Sequence, residues 1–291
     1  MTMNNGVTAG DLLRASTLDA ADARILLAHA LGWPRTELMT RAHEALPPAQ
    51  VNVFRHLEQR RYHGEPIAYL VGKREFFGLD FEITPDVLIP RPETELLVEC
   101  ALNAIVSIEA PRVLDLGTGS GAIAIAIAHQ RPEASIIATD DSRRALALAA
   151  LNAQRLLSSR RCGGALRFIA GDWYQALTGL DMQFDAIVSN PPYLAVDDPH
   201  LRTGDLRFEP RRALTDGAHG LTALKTVMAG ACKYLKKGGA LWLEHGYDQA
   251  NAVRAKLAAH GFTQVRSMRD LAWIERVSGG VAMRFEKAPN F

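Results

Sequence analysis

With 291 residues, 48% hydrophobic and 22% charged, the chain is too apolar to be disordered and long enough for one sizeable core plus a small second domain. Its 33 Lys and Arg against 32 Asp and Glu leave a formal net charge of +1, so no global positive field draws it to a phosphate backbone, which weighs against a DNA-modifying enzyme. Cys100, Cys162 and Cys232 are widely spaced, with no C-x-x-C or His/Cys cluster, and imply neither a disulfide framework nor a structural metal.

The segment from Met1 to Gly10 has no basic and apolar leader pattern, and the longest small-apolar run, Ala122 to Ala128, is far below membrane-spanning length. A cytoplasmic protein is expected. Residues 1–73 read as a small helical bundle: Asp19 leads Ala20 to Leu31 with Gly32 behind, and Pro47-Pro48 leads Ala49 to His63 with Gly64 behind. Ile25, Leu26, Leu27, Ala30 and Leu31 fall on one helical face. A separate bundle ahead of a catalytic domain commonly supplies substrate contacts, and that role is expected here in preference to a stabilising appendage.

Residues 74–92 read as a linker. Phe76-Phe77-Gly78-Leu79-Asp80-Phe81 makes a hairpin around Gly78, and Pro90-Arg91-Pro92 opens a helix from Glu93 to about Ile108. Residues 93–291 then alternate strand and helix in the α/β manner, with strands expected near 112–116, 135–140, 166–170, 184–189 and 240–245, followed by Gln264 to Met268 and Val281 to Glu286. Ala122-Ile123-Ala124-Ile125 alternates like a strand, but its place after a glycine turn predicts a helix.

That turn is Gly117-Thr118-Gly119-Ser120-Gly121, reached from the apolar run Val113-Leu114-Asp115-Leu116. Glycines here let backbone approach a ligand, and the helix that follows presents unpaired N–H groups. Asp140 closes the next strand about 20 residues on, where a carboxylate takes ribose hydroxyls. Together they predict an adenosine-type cofactor. Gly117-x-Gly119-x-x-Ala122 also satisfies the loose dinucleotide pattern, but the chain offers no second mononucleotide half. For S-adenosylmethionine, Asp115 is placed to meet an amino-acid ammonium directly or through water. Asp172 can accept from an adenine amino group, and Trp173 can cover the ring.

The fourth strand runs into Asn190-Pro191-Pro192-Tyr193. Prolines end the strand and stiffen the tetrapeptide. The Asn190 side-chain oxygen and the Pro191 carbonyl can accept both protons of one substrate NH2, while Tyr193 offers a flat face to a planar amide or base. A proline turn after a strand is the plain alternative, but the cofactor turn argues against it. Gly117 to Gly121, Asp140, Asp172 and Asn190 all fall at strand C-termini, where the ligand crevice of such sheets lies.

The glycine turn and Asn-Pro-Pro-Tyr together resemble class I methyltransferases acting on amino or amide nitrogens. Further runs narrow this: Gly64-Glu65-Pro66-Ile67-Ala68-Tyr69-Leu70, Arg74-Glu75-Phe76-Phe77-Gly78-Leu79, Leu88-Ile89-Pro90-Arg91-Pro92-Glu93-Thr94-Glu95, Gly204-Asp205-Leu206-Arg207-Phe208-Glu209-Pro210 and Glu244-His245-Gly246 resemble the PrmC/HemK family. The resemblance, which runs from about Asp22 onward, implies a Rossmann-like seven-stranded methyltransferase domain behind the bundle. It implies transfer of a methyl group from S-adenosylmethionine, leaving S-adenosylhomocysteine, to the glutamine side-chain amide in the Gly-Gly-Gln motif of class-one peptide chain release factors.

On this reading Gly117, Thr118, Gly119, Ser120, Gly121, Asp140, Asp172, Trp173 and Asn190 hold the cofactor. Asn190, Pro191, Pro192 and Tyr193 hold the substrate, with Asn190, Pro191 and Tyr193 catalytic. No metal, membrane or direct nucleic-acid contact is implied. One departure is Asp270 to Val277, which stands where the family commonly has a glycine-containing turn before the last strand.

Amino methyltransferases of DNA adenine or ribosomal RNA share related tetrapeptides and form the alternative. A silent binding module is the third reading, disfavoured by two intact motifs. Glu244 and His245 are expected to make cap or loop hydrogen bonds, a general base being unnecessary. Arg207 to Pro210 either supports the substrate or folds its own loop onto the core. The pairs Arg143-Arg144, Arg160-Arg161 and Arg211-Arg212 read as solvated faces.

Overall fold

A computed structural model describes residues 6–158 and 164–283. Arg160-Arg161, Cys162 and residues 284–286 of the last expected strand lie outside the described residues. The chain divides into two compact units, Met1–Lys73 with Arg202–Phe208, and Arg74–Leu201 with Glu209–Phe291.

The first unit contains α1 (Ala9–Ala15), α2 (Ala20–Leu31), α3 (Arg35–Thr40), α4 (Pro48–Tyr62) and α5 (Ile67–Val71). Local chemistry sets the helix starts. Thr8 and Asp11 form a reciprocal capping box on α1, and the Asp19 side chain accepts the Ala21 N–H at 2.8 Å to begin α2, which Gly32 ends at φ 66°. Leu12, Leu26, Leu27, Leu31, Leu38, Phe54, Leu57 and Leu70 make the unit's own core. Arg61 ties Asp22 at 2.7 Å and Asp205 at 3.0 Å, and Arg207 donates to the His63 carbonyl at 2.8 Å. Residues 202–208, within the 93–291 range of the expected catalytic domain, thereby belong to the bundle.

β1 (Lys73–Phe76) and β2 (Leu79–Glu82) pair as a hairpin. The helix expected from Glu93 begins as a 3-10 turn, Pro92–Thr94, and continues as α6 (Glu95–Ala104). The alternating stage follows: β3 (Arg112–Leu116), α7 (Ala122–Gln130), β4 (Ser135–Asp140), α8 (Arg143–Leu157), β5 (Leu166–Ala170) and β6 (Phe184–Ser189). After a long connection containing α9 (Arg211–Leu214) come α10 (Thr222–Tyr234), β7 (Leu235–Glu244), α11 (Ala250–Ala259), β8 (Phe262–Arg269) and β9 (Glu275–Ala282). The seven strands β3 to β9 form one sheet in the order β5-β4-β3-β6-β7-β9-β8, parallel except where β9 runs against β7 and β8. Residues Ala122 to Ala128 of α7 are all buried, which is why their pattern carries no helical period.

The end of the sheet differs from expectation. β9 begins at Glu275 and ends at Ala282, not in the range 281–286, and β7 already begins at Leu235, ahead of the expected start at Ala240. Gly279-Gly280 disguises the last strand. A Cβ at Gly279 would lie 2.3 Å from both the Leu241 carbonyl oxygen and Trp242 Cε3, so the missing side chain is what lets β9 pass the Trp242 ring. The turn before it needs no glycine: Asp270 accepts the N–H groups of Ala272 and Ile274 at 2.9 and 3.0 Å, and Trp273 takes the left-handed position at φ 62°.

Candidate active site

The chain leaves β3 toward β4 and returns to β3's other side only at β6. This reversal opens a crevice at the carboxyl ends of β3 and β6. The Ser189 hydroxyl donates to the Leu116 carbonyl at 2.7 Å and locks the two ends together. A cavity of about 350 Å³ occupies the crevice, with Gly117, Thr118, Gly119, Ser120, Asp140, Asp172, Trp173, Asn190 and Pro192 in its wall. Gly121, Pro191 and Tyr193 stand outside that wall. Asp86 and Arg212 line it with no motif to mark them, and Arg91 and Thr94 line it from the family run Leu88 to Glu95, which by itself assigns them no role.

Gly117, Gly119 and Gly121 have φ of 77°, 56° and 83°, a region costing an L side chain roughly 1–2 kcal/mol. Their roles differ. A Cβ at Gly121 would sit 2.8 Å from Ile125 Cδ1 and 3.0 Å from Ala149 Cβ, so this glycine serves the packing of α7 and α8. A Cβ at Gly119 would meet no atom within 4 Å, yet Gly119 faces the cavity. That open cradle fits close approach of a ligand to the backbone.

Asp140 Oδ2 accepts the Gly119 N–H and Oδ1 the Ser142 N–H, each at 2.9 Å. Each oxygen keeps a lone pair for a hydroxyl donor. Burial pushes this carboxyl up, while the two amides oppose the shift. Trp173 carries a positive φ of 45°, and its ring stands 3.6 Å from where a Gly117 Cβ would be. That conformation costs an L side chain roughly 1–2 kcal/mol, and Trp173 lines the cavity. Asp172 is exposed and approached by Gln175 Nε2 at 3.4 Å, which leaves acceptor capacity.

Asp115 is fully buried and absent from the cavity wall. Its Oδ2 accepts the Thr118 hydroxyl at 2.6 Å. Its Oδ1 has no hydrogen-bond partner, and burial pushes its carboxyl up to about 7.

At the opposite side of the crevice, Asn190 Nδ2 donates to Thr94 Oγ1 at 3.2 Å. Oδ1 is therefore the amide atom left for a donor. Pro191 is buried, and Tyr193 packs partly against the core with its hydroxyl donating to Glu244 Oε1 at 3.3 Å. The Tyr193 carbonyl accepts Gln249 Nε2 at 3.0 Å and would lie 2.2 Å from a Cβ on Gly220. These anchors come from distant segments, and no local motif announces them.

Glu244 and His245 both lie buried at the end of β7, and neither caps a helix. Burial lowers the His245 pKa, which favours the neutral ring. Its Nδ1–H donates to the Gly246 carbonyl at 2.9 Å, so Nε2 accepts from Ser278 Oγ at 2.7 Å. Glu209, with its side chain wholly buried, accepts the Ile89 N–H at 2.9 Å and pairs with Arg91. This half of the Arg207–Pro210 segment folds its loop onto the cavity wall. Arg212 is exposed, as expected of a solvated charge, and also bonds the Ser142 hydroxyl.

Two family models match: the PrmC N-terminal domain over residues 8–72 and the methyltransferase small domain over residues 92–205. The chain is 61% identical over 279 residues to a release factor glutamine methyltransferase of Burkholderia pseudomallei, covering 96% of this chain and 98% of that one. A protein of the same description from Bordetella pertussis is 54% identical over 93% of this chain and 97% of its own length. Among solved structures, a T. thermophilus 16S rRNA N2 G1207 methyltransferase in complex with AdoMet and guanosine has TM-score 0.50 and 20% identity over 72% of this chain and 49% of that chain, a likeness of fold.

Proposed function

The chain belongs to the release factor glutamine methyltransferases, and we propose that it transfers a methyl group from S-adenosylmethionine to the glutamine side-chain amide in the Gly-Gly-Gln motif of class-one peptide chain release factors. The observation that carries this reading is the Asn190 amide, held by Thr94 so that its oxygen is the atom left for a substrate donor at the edge of a glycine-cradled cavity.

The cofactor fits the opposite wall. Gly119 leaves room for backbone approach, Asp140 has lone pairs for ribose hydroxyls, and Asp172 with Trp173 offers an acceptor and a flat ring for adenine. When bound, S-adenosylmethionine supplies an electrophilic methyl group.

The protein's own task is to make an amide nitrogen nucleophilic. Its lone pair is delocalised into the carbonyl, so the NH2 must be turned and held. Asn190 Oδ1 and the Pro191 carbonyl accept its two protons, and the proline-stiffened backbone keeps both acceptors in place before the substrate arrives. As the nitrogen gains positive charge its protons become more acidic, so both hydrogen bonds strengthen selectively in the transition state. No base is required before methyl transfer. Tyr193 flanks the amide and holds the far end of the tetrapeptide. The bundle, which matches the PrmC N-terminal domain, supplies contacts to the release factor beyond the short glutamine loop.

Incubation with labelled S-adenosylmethionine and a purified release factor tests the reading. Label should appear on the glutamine of the Gly-Gly-Gln motif when the modified residue is located by mass spectrometry. Label confined to ribosomal RNA or DNA would overturn it.

A further inference from the structure

Glu244 is a carboxylate that the transfer chemistry does not call for, placed where burial is costly. It ends β7, on the same rim as Asn190, and is 2% exposed. No cation pairs with it among the described residues, since the nearby Arg276 bonds Asp270 at 3.1 Å. Oε1 accepts from Tyr193, Oε2 completes no hydrogen bond, and the Thr94 hydroxyl also stands within reach of the carboxyl. An unpaired buried carboxylate costs several kcal/mol, and such a group beside an active site is a candidate for function.

Its neighbours give it one. The two hydroxyls facing it belong to Tyr193, within the tetrapeptide, and to Thr94, which accepts from Asn190 Nδ2 at 3.2 Å and lines the cavity. A threonine hydroxyl has one proton. With that proton directed at Glu244, Thr94 can only accept from Asn190, and the amide must turn Nδ2 toward it. Were Thr94 to donate to Asn190 instead, the amide would turn over and set its own NH2 against the substrate NH2, donor against donor.

We infer that Glu244 is a positioning residue for methyl transfer: by drawing the Thr94 and Tyr193 hydroxyl protons toward itself it fixes the Asn190 amide with its oxygen toward the substrate. The inference rests on the reading of Asn190 as the acceptor of the substrate's NH2 protons.

The same geometry makes the device sensitive to protonation. Burial pushes the Glu244 carboxyl up to about 7; Glu93 adds to the rise, while the Thr94 and Tyr193 hydroxyls and Arg276 oppose it. Tyr193, which Arg91 and Arg276 also face, has its phenol pushed up mainly by burial and stays a donor across this range. Burial lowers the pKa of the neighbouring His245. Protonated Glu244 has its own proton to give and no longer needs the one from Thr94, so the relay loses its direction as pH falls through about 7.

The experiment measures kcat and KM for a full-length release factor from pH 5.5 to 9, with cofactor affinity by calorimetry, in the wild type and in Glu244→Gln, Thr94→Val, Thr94→Ser and Asn190→Ala. Glu244→Gln should lower kcat about tenfold at pH 8, the worth of one misdirected hydrogen bond, with KM and cofactor affinity nearly unchanged. It should also abolish the acidic limb that the wild type shows. Thr94→Val should match it, and Thr94→Ser, which keeps the hydroxyl, should recover most of the lost kcat. If Glu244→Gln keeps the wild-type kcat and acidic limb while Asn190→Ala is crippled, Glu244 is structural and the inference falls alone. If Asn190→Ala turns over normally, the reading of Asn190 falls first. Should Glu244→Gln misfold, shown by lost cofactor binding, equal kcat in Thr94→Val and Thr94→Ser would overturn the inference, and a deficit confined to Thr94→Val would support it.

Discussion

The two sides of the crevice are built by different means. On the glycine side backbone does the work: a left-handed turn, one amide given to Asp140, and a carboxylate, Asp115, whose hydroxyl partner Thr118 is three residues away. On the tetrapeptide side the counterpart carboxylate is Glu244, and its partners Tyr193 and Thr94 stand on segments remote in sequence. Both carboxyls are buried and both are pushed up to about 7. On the proposed reading, the difference teaches that a cofactor shared by many enzymes would be held by a local device, whereas aiming one substrate nitrogen would take polar contacts that only the assembled sheet brings together.

The largest effect should come from the tetrapeptide side. Asn190→Ala removes an acceptor whose hydrogen bond strengthens in the transition state, and by analogy with loss of an oxyanion-hole donor kcat should fall by about 10²–10³, or roughly 2.7–4 kcal/mol. Cofactor affinity, measured by calorimetry, should hold, because the glycine side is intact. A matched loss of affinity and turnover would break the division between the two sides.

Within the glycine turn a second pair of variants sharpens the contrast. Gly119→Val places a branched side chain at φ 56° in the space left for the ligand, so S-adenosylmethionine affinity should fall by about tenfold or more, beside a stability cost of roughly 1–2 kcal/mol from the strained backbone. Gly121→Val meets Ile125 and Ala149 instead, so its cost should appear chiefly as a lowered Tm. Equal affinity for cofactor in the wild type and Gly119→Val would remove the turn from the site.

The same division sets what can be read from the sequence. Gly117 to Gly121, Asp140, Asp172, Trp173 and Asn190 announce themselves because each sits at the end of an apolar run, and strand ends gather in a parallel sheet. Thr94 carries no such signal, since a threonine beside Pro92 reads as the start of a helix. Glu244 and His245 stand out in the sequence, but nothing local shows that one faces the tetrapeptide and the other Ser278. Gln249 and Gly220, which secure the Tyr193 carbonyl, are ordinary loop residues until the fold closes. The sequence pattern displaces β9 because its Gly279-Gly280 pair resembles a break, and only the Trp242 ring beside it explains the glycine. The position of Asp115 before the turn suggests a ligand; only the fold shows that it is completely buried, behind the cavity wall, with Thr118 on its Oδ2.

The smallest effect at any one pH, and the most discriminating, concerns the two carboxyls together. Each has a folded-state pKa raised above its unfolded value, from 3.8 to about 7 for Asp115 and from 4.5 to about 7 for Glu244. The folded protein therefore binds more protons than the unfolded chain in that window. Each group's stabilising contribution is present below its unfolded pKa and is lost as pH rises through about 7. Asp115→Asn and Glu244→Gln, which cannot ionise, should thus gain stability relative to the wild type as pH rises from about 4.5 to 7.5, with a slope of at most about 1.4 kcal/mol per pH unit for each group. Denaturant melts across that range check it. Activity should separate what stability cannot. For Glu244 the acid that steadies the fold also undoes the Asn190 orientation, so stability and kcat should move in opposite directions through about pH 7, the mark of a costly group retained for function. Asp115 is not itself in the cavity wall and bonds it through the Thr118 hydroxyl, on the glycine side, so Asp115→Asn should shift the stability profile and leave the acidic limb of kcat in place. Loss of that limb in Asp115→Asn, or its persistence in Glu244→Gln, would show that the two carboxyls do not divide between fold and chemistry in this way.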